Sequence, residues 1–102
     1  MALIGRPDIA FVDLRETGER DKHGSIPGAL HAPYGDLQEN IGVGGILREL
    51  TRTADKRIVF YCAFGERSAM AVQAAQDAGL IAALHVEGGI DAWKRAGGAL
   101  AR

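Results

Sequence analysis

The chain has a single cysteine, Cys62, in 102 residues. One thiol excludes an internal disulfide framework and makes a reducing cytoplasm the default compartment. Histidine is scarce as well: His23, His31 and His85 are all there are. No pair of them has metal-ligand spacing and no Cys/His cluster forms, so no metal is expected. Each histidine is read as a satisfied or solvated side chain. Neither sign of charge dominates. Twelve Lys and Arg against thirteen Asp and Glu leave a net charge of −1, which gives no footprint for nucleic acid or for an acidic membrane surface. No apolar run approaches the length of a membrane-spanning helix. The N-terminus lacks the basic-then-apolar order of a signal peptide. No internal repeat, low-complexity tract or linker interrupts the chain.

What is present is ordinary for a globular protein: 47% hydrophobic and 25% charged residues. The length predicts one domain over 1–102, with a core near the small end of the range. Ile9 to Leu14 reads as a buried strand after the Pro7-Asp8 turn, with Asp13 and Arg15 at its carboxyl end. Arg15 either pairs with Glu16, Glu19 or another acid, or borders the mouth of a site; charge pairs are more often structural, which favours the first. Thr17 to Ser25 is polar without apolar periodicity and reads as a loop with at most one helical turn. After the Pro27-Gly28 turn, Ala29 to Ala32 reads as a short strand. Pro33 to Gly45 reads as a loop with a brief helix around 36–40, its Gly42–Gly45 stretch serving as a connector. Ile46, Leu47 and Leu50 form the apolar side of a short helix, with Arg48, Glu49 and Arg52 opposite.

Arg57 to Tyr61 is a nearly continuous apolar run, which suits a strand covered on both faces of a parallel sheet. A helix follows from Ser68 to Ala78, with Ala71, Val72, Ala75 and Ala78 at helical spacing and Gly79 at the C′ position. Ile81 to Val86 reads as the next strand. A last helix begins after Gly88-Gly89, with Ile90 and Trp93 inward, and ends at Gly97-Gly98. Strands alternating with helices predict an α/β sandwich with a mainly parallel sheet and right-handed crossovers.

The chemistry concentrates at Cys62-Ala63-Phe64-Gly65-Glu66-Arg67, between the central strand and the helix. Ligands of open α/β sheets bind just beyond the carboxyl ends of the strands. A loop closing onto a helix N-terminus aims free N–H groups at any anion there. The helix dipole and Arg67 favour a thiolate at Cys62, and Glu66 opposes it.

Cys62-x-x-Gly65-x-Arg67, with Val59-Phe60-Tyr61 before it and Ser68-Ala69 after it, resembles the active-site loop of the rhodanese-like sulfurtransferases. Phe11 to Glu16 resembles the early strand of that family. Ile26-Pro27-Gly28-Ala29 resembles its IPGA segment, and Val86-Glu87-Gly88-Gly89 with Trp93 its closing segment. The four blocks stand in the family's order and cover nearly the whole chain. One departure is local: the family has Gly-His-Ile-Pro-Gly where this chain has His23-Gly24-Ser25-Ile26-Pro27-Gly28. The resemblance implies a rhodanese-like three-layer sandwich, a mainly parallel sheet flanked by helices. The family usually has a further element before the Asp13 strand. The chain is therefore expected either to be compact there or to be one piece of a longer protein, with Ala2-Leu3-Ile4 ending a helix.

The resemblance also implies a persulfide on Cys62, loaded by thiosulfate or a persulfide donor and discharged to a thiol or cyanide-like acceptor, a thiol-bearing protein included. No cofactor is expected. Backbone N–H groups from Ala63 to Arg67 would cradle the outer sulfur, and Gly65 permits the tight turn. Arg67 either faces the anion or locks the loop to a nearby acid. The non-basic Ala63 and Phe64 favour an organic or protein-bound persulfide over thiosulfate. Two rival readings stand beside this one. A non-catalytic interaction module would use the same fold. A cysteine phosphatase or arsenate reductase would use a Cys…Arg loop, but only four residues separate Cys62 from Arg67 here, against five in such phosphatases. The plainest alternative is an inert cysteine closing a core strand.

Overall fold

In the computed structural model, which describes residues 8–53, 56–80, 82–98 and 100, the central apolar run becomes the centre of a sheet. Strand β3 (Arg57–Tyr61) lies between β1 (Ile9–Asp13) and β4 (Leu84–His85), and β2 (Leu30–His31) lies outside β1. All three pairings are parallel. The register sets Asp13 beside Tyr61 and Phe60 beside His85. The carboxyl ends of β1, β3 and β4 therefore meet at one end of the sheet.

Strand alternation assigns the two faces. Ile58, Phe60 and Cys62 pack on one side with Val12, Leu14, Leu47, Ala71 and Ala75. Val59 and Tyr61 pack on the other with Phe11, Ile26, Ile90 and Trp93. The first side is covered by α2 (Leu37–Ile41), α3 (Ile46–Thr53) and α4 (Glu66–Asp77), the second by α5 (Gly89–Arg95) and the Ile26 turn. Helices on both faces of a parallel sheet make the expected three layers. Trp93 is a core residue, edge-on to Phe11 with ring centroids 5.6 Å apart.

Four local expectations need correction. Thr17 to Ser25 is no loop: Thr17–His23 is a helix, α1. Glu19 reaches back to the Glu16 N–H at 2.9 Å, half of a capping box, and charges rather than an apolar stripe hold the helix down. Ile46 is exposed, so the buried side of α3 begins at Leu47. Arg48 does not face away. Its guanidinium donates to the Ile41 and Ala78 carbonyls, which close α2 and α4 where helices leave carbonyls unpaired. Strand β4 is shorter than the predicted Ile81–Val86, and Ile81 lies outside the described residues, as does the Ala2-Leu3-Ile4 segment. Leu84 is exposed at this edge of the sheet, where pairing on one side alone limits a strand's length.

The charged residues of β1 resolve into a buried hub. Asp13 accepts from the Arg15 N–H at 2.9 Å, from Arg15 Nε at 3.0 Å and from Arg15 Nη2 at 2.9 Å. It also accepts from Arg20 Nε at 3.0 Å and from the Tyr61 hydroxyl at 2.9 Å. Asp13 and Arg15 are both buried. Arg15 donates further to the Gly24 carbonyl, and the Tyr61 oxygen accepts from the Ile26 N–H. Burial works to lower the Arg15 pKa, but the hydrogen bonds and charge of Asp13 outweigh it and hold the guanidinium above its usual value. Burial, then Asp13, pushes the Tyr61 phenol up. Arg15 is thus the paired, structural residue that its sequence position favoured. Removing Arg15 takes the fully buried cation from Asp13 and leaves it only the partly exposed Arg20 and the Tyr61 hydroxyl as side-chain partners. Arg15→Met is expected to lower stability by about 3–5 kcal/mol in urea unfolding at pH 7. Adding Asp13→Asn to it should cost less than the sum of the two single losses.

Candidate active site

Strand β3 ends at Tyr61, and three residues, Ala63, Phe64 and Gly65, bridge Cys62 to the first turn of α4. Gly65 has φ +108°, a left-handed value that side chains disfavour, and an added Cβ would stand 3.1 Å from the Gly88 nitrogen. The first turn of α5 holds the loop from outside. Ile90 N–H donates to the Cys62 carbonyl at 2.9 Å and Asp91 N–H to the Ala63 carbonyl at 3.1 Å. Gly89 is what lets α5 come so near: a Cβ there would lie 2.6 Å from the Cys62 oxygen.

With those carbonyls turned out to α5, N–H groups turn in. The Cys62 sulfur accepts from Gly65 N–H at 3.1 Å and from Ser68 N–H at 3.4 Å. The Ser68 hydroxyl lies 3.7 Å away. Cys62, Gly65 and Ser68 are buried, Ala63 and Arg67 are half-buried, and Glu66 is exposed. Phe64, at the rim, is 63% exposed. The sulfur therefore sits in a pocket of backbone dipoles at a helix N-terminus, not in plain apolar packing. Such a pocket stabilises a negative charge on sulfur.

Arg67 takes the locking role. Its Nη1 and Nη2 donate to Glu19 Oε1 and Oε2, both at 3.0 Å, a bidentate pair. That pair ties the start of α4 to α1, 48 residues earlier in the chain.

Two polar residues were not singled out in the sequence, Ser68 at the sulfur and His85 behind it. The Ser68 oxygen is 3.1 Å from the Gly65 carbonyl and 3.0 Å from His85 Nδ1. His85 ends β4, beside β3. Neighbouring carboxyl ends of parallel strands share one site, and that rule was the available signal for His85. His31 lies elsewhere, with Nε2 2.7 Å from the Arg15 carbonyl. Among the described residues no group of three His, Cys, Asp or Glu is placed to hold a metal. No helix among them is long and apolar enough to cross a membrane.

A family model described as a rhodanese-like domain matches residues 1–96. The chain is 29% identical over 97 residues to thiosulfate sulfurtransferase/rhodanese-like domain-containing protein 3 of Mus musculus, covering 90% of this chain and 62% of that protein. It is 32% identical over 94 residues to the tRNA uridine(34) hydroxylase of Salmonella paratyphi B, covering 92% of this chain and 26% of that protein. It thus spans less than two thirds of either relative. A solved structure from Rhodopseudomonas palustris CGA009, described as a protein of unknown function and possible tyrosine phosphatase, matches with TM-score 0.82 and 40% identity. That match covers 92% of this chain and 71% of the other.

The Glu19–Arg67 lock carries a pH signature. The hydrogen bonds from Arg67 lower the Glu19 pKa from 4.5 to about 2, against the opposing effect of burial. A carboxylate depressed on folding contributes stability above its unfolded value and loses it as pH falls through the folded one. The lock is therefore complete above pH 4.5 and gone below about 2. Both side chains are partly solvated, so the native protein should exceed Glu19→Gln by under about 1 kcal/mol in urea unfolding at pH 7. The two unfolding curves should converge as pH approaches 2.

Proposed function

This chain belongs to the rhodanese-like domain family, and from that premise we propose that it is a sulfurtransferase whose Cys62 carries sulfane sulfur as a persulfide. The observation that carries the reading is the Cys62 sulfur at the N-terminus of α4, accepting the Gly65 and Ser68 N–H groups. An inert core cysteine has no use for two aimed donors.

The reaction is two displacements at sulfur, the same in kind as thiol–disulfide exchange. In the first, the Cys62 thiolate attacks the sulfane sulfur of the donor. The new S–S bond forms at Cys62, and the donor's own bond to that sulfur breaks, its electron pair leaving on sulfite or on a thiolate. In the second, an acceptor attacks the outer sulfur and Cys62 departs as thiolate. Nothing is oxidised or reduced overall. Neither step needs a metal or a cofactor. The outer sulfur of the persulfide is anionic, and the dipoles of the loop are its cradle, Gly65 and Ser68 leading and Ala63, Phe64, Glu66 and Arg67 completing the turn. Cys62 is buried, so the residues around it have to shift before a donor or acceptor can reach the sulfur. A reducing cytoplasm, where the thiol stays free, suits this cycle.

The nature of the rim favours one donor class. Phe64 is exposed and Ala63 is small, and no cation of the loop faces outward: Arg67 is bound to Glu19. Thiosulfate, a dianion, gains little from such a rim. A persulfide on a small organic thiol or on a partner protein brings less charge and more apolar surface. The same features weigh against phosphate chemistry, despite the possible-phosphatase description of the Rhodopseudomonas protein. A dianion would meet a neutralised arginine and the acidic Glu66.

Brief incubation with glutathione persulfide should add one sulfur atom to the intact mass of the native protein. Cyanide should remove it, and Cys62→Ala should never acquire it. No gain with any donor would overturn the reading and leave the interaction-module alternative. In steady-state kinetics, kcat/KM for glutathione persulfide should exceed that for thiosulfate by about tenfold or more, the scale of one lost charge contact. Phe64→Arg should narrow the gap, and a thiosulfate preference in the native protein would refute the donor assignment.

A further inference from the structure

We propose that Cys62, Ser68 and His85 form a proton relay, in which His85 takes the Cys62 proton through the Ser68 hydroxyl. The inference rests on the sulfur-transfer reading for its purpose, though not for its test. Ser68 touches the reacting sulfur and is a catalytic residue. His85 acts through it and is a positioning residue.

The chain of contacts is continuous. The Cys62 thiol is 3.7 Å from Ser68 Oγ, within reach of a sulfur donor, and Ser68 Oγ is 3.0 Å from His85 Nδ1. Cys62 and Ser68 are buried, while His85 is half-buried at the edge of the sheet and can exchange a proton with solvent. Ser68 lies on the sheet-facing stripe of α4, whose other buried members are Ala71 and Ala75. Packing there asks only for a small residue. A hydroxyl adds something packing does not need.

The hydroxyl already has an acceptor in the Gly65 carbonyl at 3.1 Å. A serine satisfied in that way needs no histidine. In the tautomer with its proton on Nε2, His85 offers Nδ1 as a second acceptor and gives the hydroxyl's single proton an alternative direction, and a hydroxyl that both accepts and donates is what a relay requires. The Cys62 S–H proton passes to Ser68 Oγ as the Ser68 proton passes to His85 Nδ1. Thiol and neutral imidazole become thiolate and imidazolium, with no change in net charge. The bonds then run the other way: His85 Nδ1–H donates to Ser68 Oγ, and Ser68 O–H donates to the thiolate. The thiolate so formed attacks the donor's sulfane sulfur, and the donor's S–S bond breaks with its electron pair on the leaving group. When the acceptor discharges the persulfide, the thiolate returns and takes its proton back along the same path.

Few other groups compete for His85. On α4, Arg67 is bound to Glu19, Glu66 is exposed, and Asp77 is exposed nine residues past Ser68, about 13 Å along the helix. On β3, Tyr61 lies on the opposite face within the Asp13 hub, and Arg57 shares that parity at the far end of the strand. Glu87, two residues on, is exposed.

The test is the ultraviolet absorbance of the thiolate from pH 5 to 9, taken as the difference from Cys62→Ser. It is recorded for the native protein, Ser68→Ala and His85→Asn. Asparagine keeps an acceptor oxygen close to where Nδ1 stands but carries no exchangeable charge, so it preserves a merely structural bond. At pH 7 the native thiolate fraction should exceed that of either variant by about tenfold, the effect of losing one charge-assisted hydrogen bond. A His85→Asn titration that overlays the native one would overturn the relay. Should Ser68→Ala fail to fold by circular dichroism, His85→Asn, at the sheet edge, decides alone. No sulfur donor enters this measurement. A native protein that shows the His85-dependent thiolate yet takes up no sulfur would sink the sulfurtransferase reading alone. One that takes up sulfur with identical titrations would sink the relay alone.

Discussion

The carboxylate of Asp13 is the point on which the active end of the sheet depends. It is buried, and it gathers two arginines, a backbone N–H and a phenol from three separate stretches of chain. Two of these partners lead to the cysteine. Tyr61, bound to Asp13, is the residue before Cys62. Arg20, also bound to Asp13, anchors α1, and Glu19 of that helix grips Arg67 on the far side of the loop. The loop from 62 to 67 is therefore held at both ends by one ionic network, although its own residues supply only Arg67 to it. A buried carboxylate with too few partners is very costly. The same cost makes the network hard to rearrange, which is what a preformed site needs.

The second constraint is backbone approach. An oxygen and an N–H alternate along any chain, so a loop that presents N–H groups inward has to dispose of its carbonyls outward. Here the N-terminus of α5 receives them, and its free N–H groups bind the Cys62 and Ala63 carbonyls. Helix α4 in turn directs N–H groups at the sulfur. The loop lies between two helix N-termini, one steadying its carbonyls and one facing the thiol. Glycine is obligatory at Gly65 and Gly89 because both take positive φ while another backbone lies against them. The glycines at 65 and 89 are thus a statement about distance between backbones.

Elements held by burial of apolar surface were legible in the sequence. The Arg57–Tyr61 run, the alanine stripe of α4 and the Ile90–Trp93 spacing each announced a packed face, and each packs as read. What escaped was held by charge or by geometry across the sheet. Helix α1 has no apolar stripe, so periodicity is silent about it; its seven residues are fixed by Glu16, Arg20 and Arg67. Arg48 looked like solvent-facing charge, yet it closes two helix ends that no local pattern places side by side. The cysteine and its loop were legible because they are contiguous. Ser68 and His85 are not: they meet because β4 pairs in parallel with β3, putting His85 beside Phe60 on the face that α4 covers, where Ser68 is buried.

In the proposed reaction, that arrangement bears on how tightly the site would hold sulfur. A carrier has to stabilise an anionic persulfide, yet release it to an acceptor of similar energy. A free guanidinium beside the sulfur would favour loading and oppose discharge, since a full charge in a buried site interacts strongly. In this chain Glu19 largely cancels Arg67, and what faces the sulfur is a set of partial charges from backbone N–H groups and one hydroxyl. Dipoles of this kind favour the anion without binding it as an ion pair. Under the proposed sulfur transfer, charge cancellation at Arg67 becomes part of the chemistry: the residue gives the loop its shape, and its pairing with Glu19 would leave the sulfur transferable.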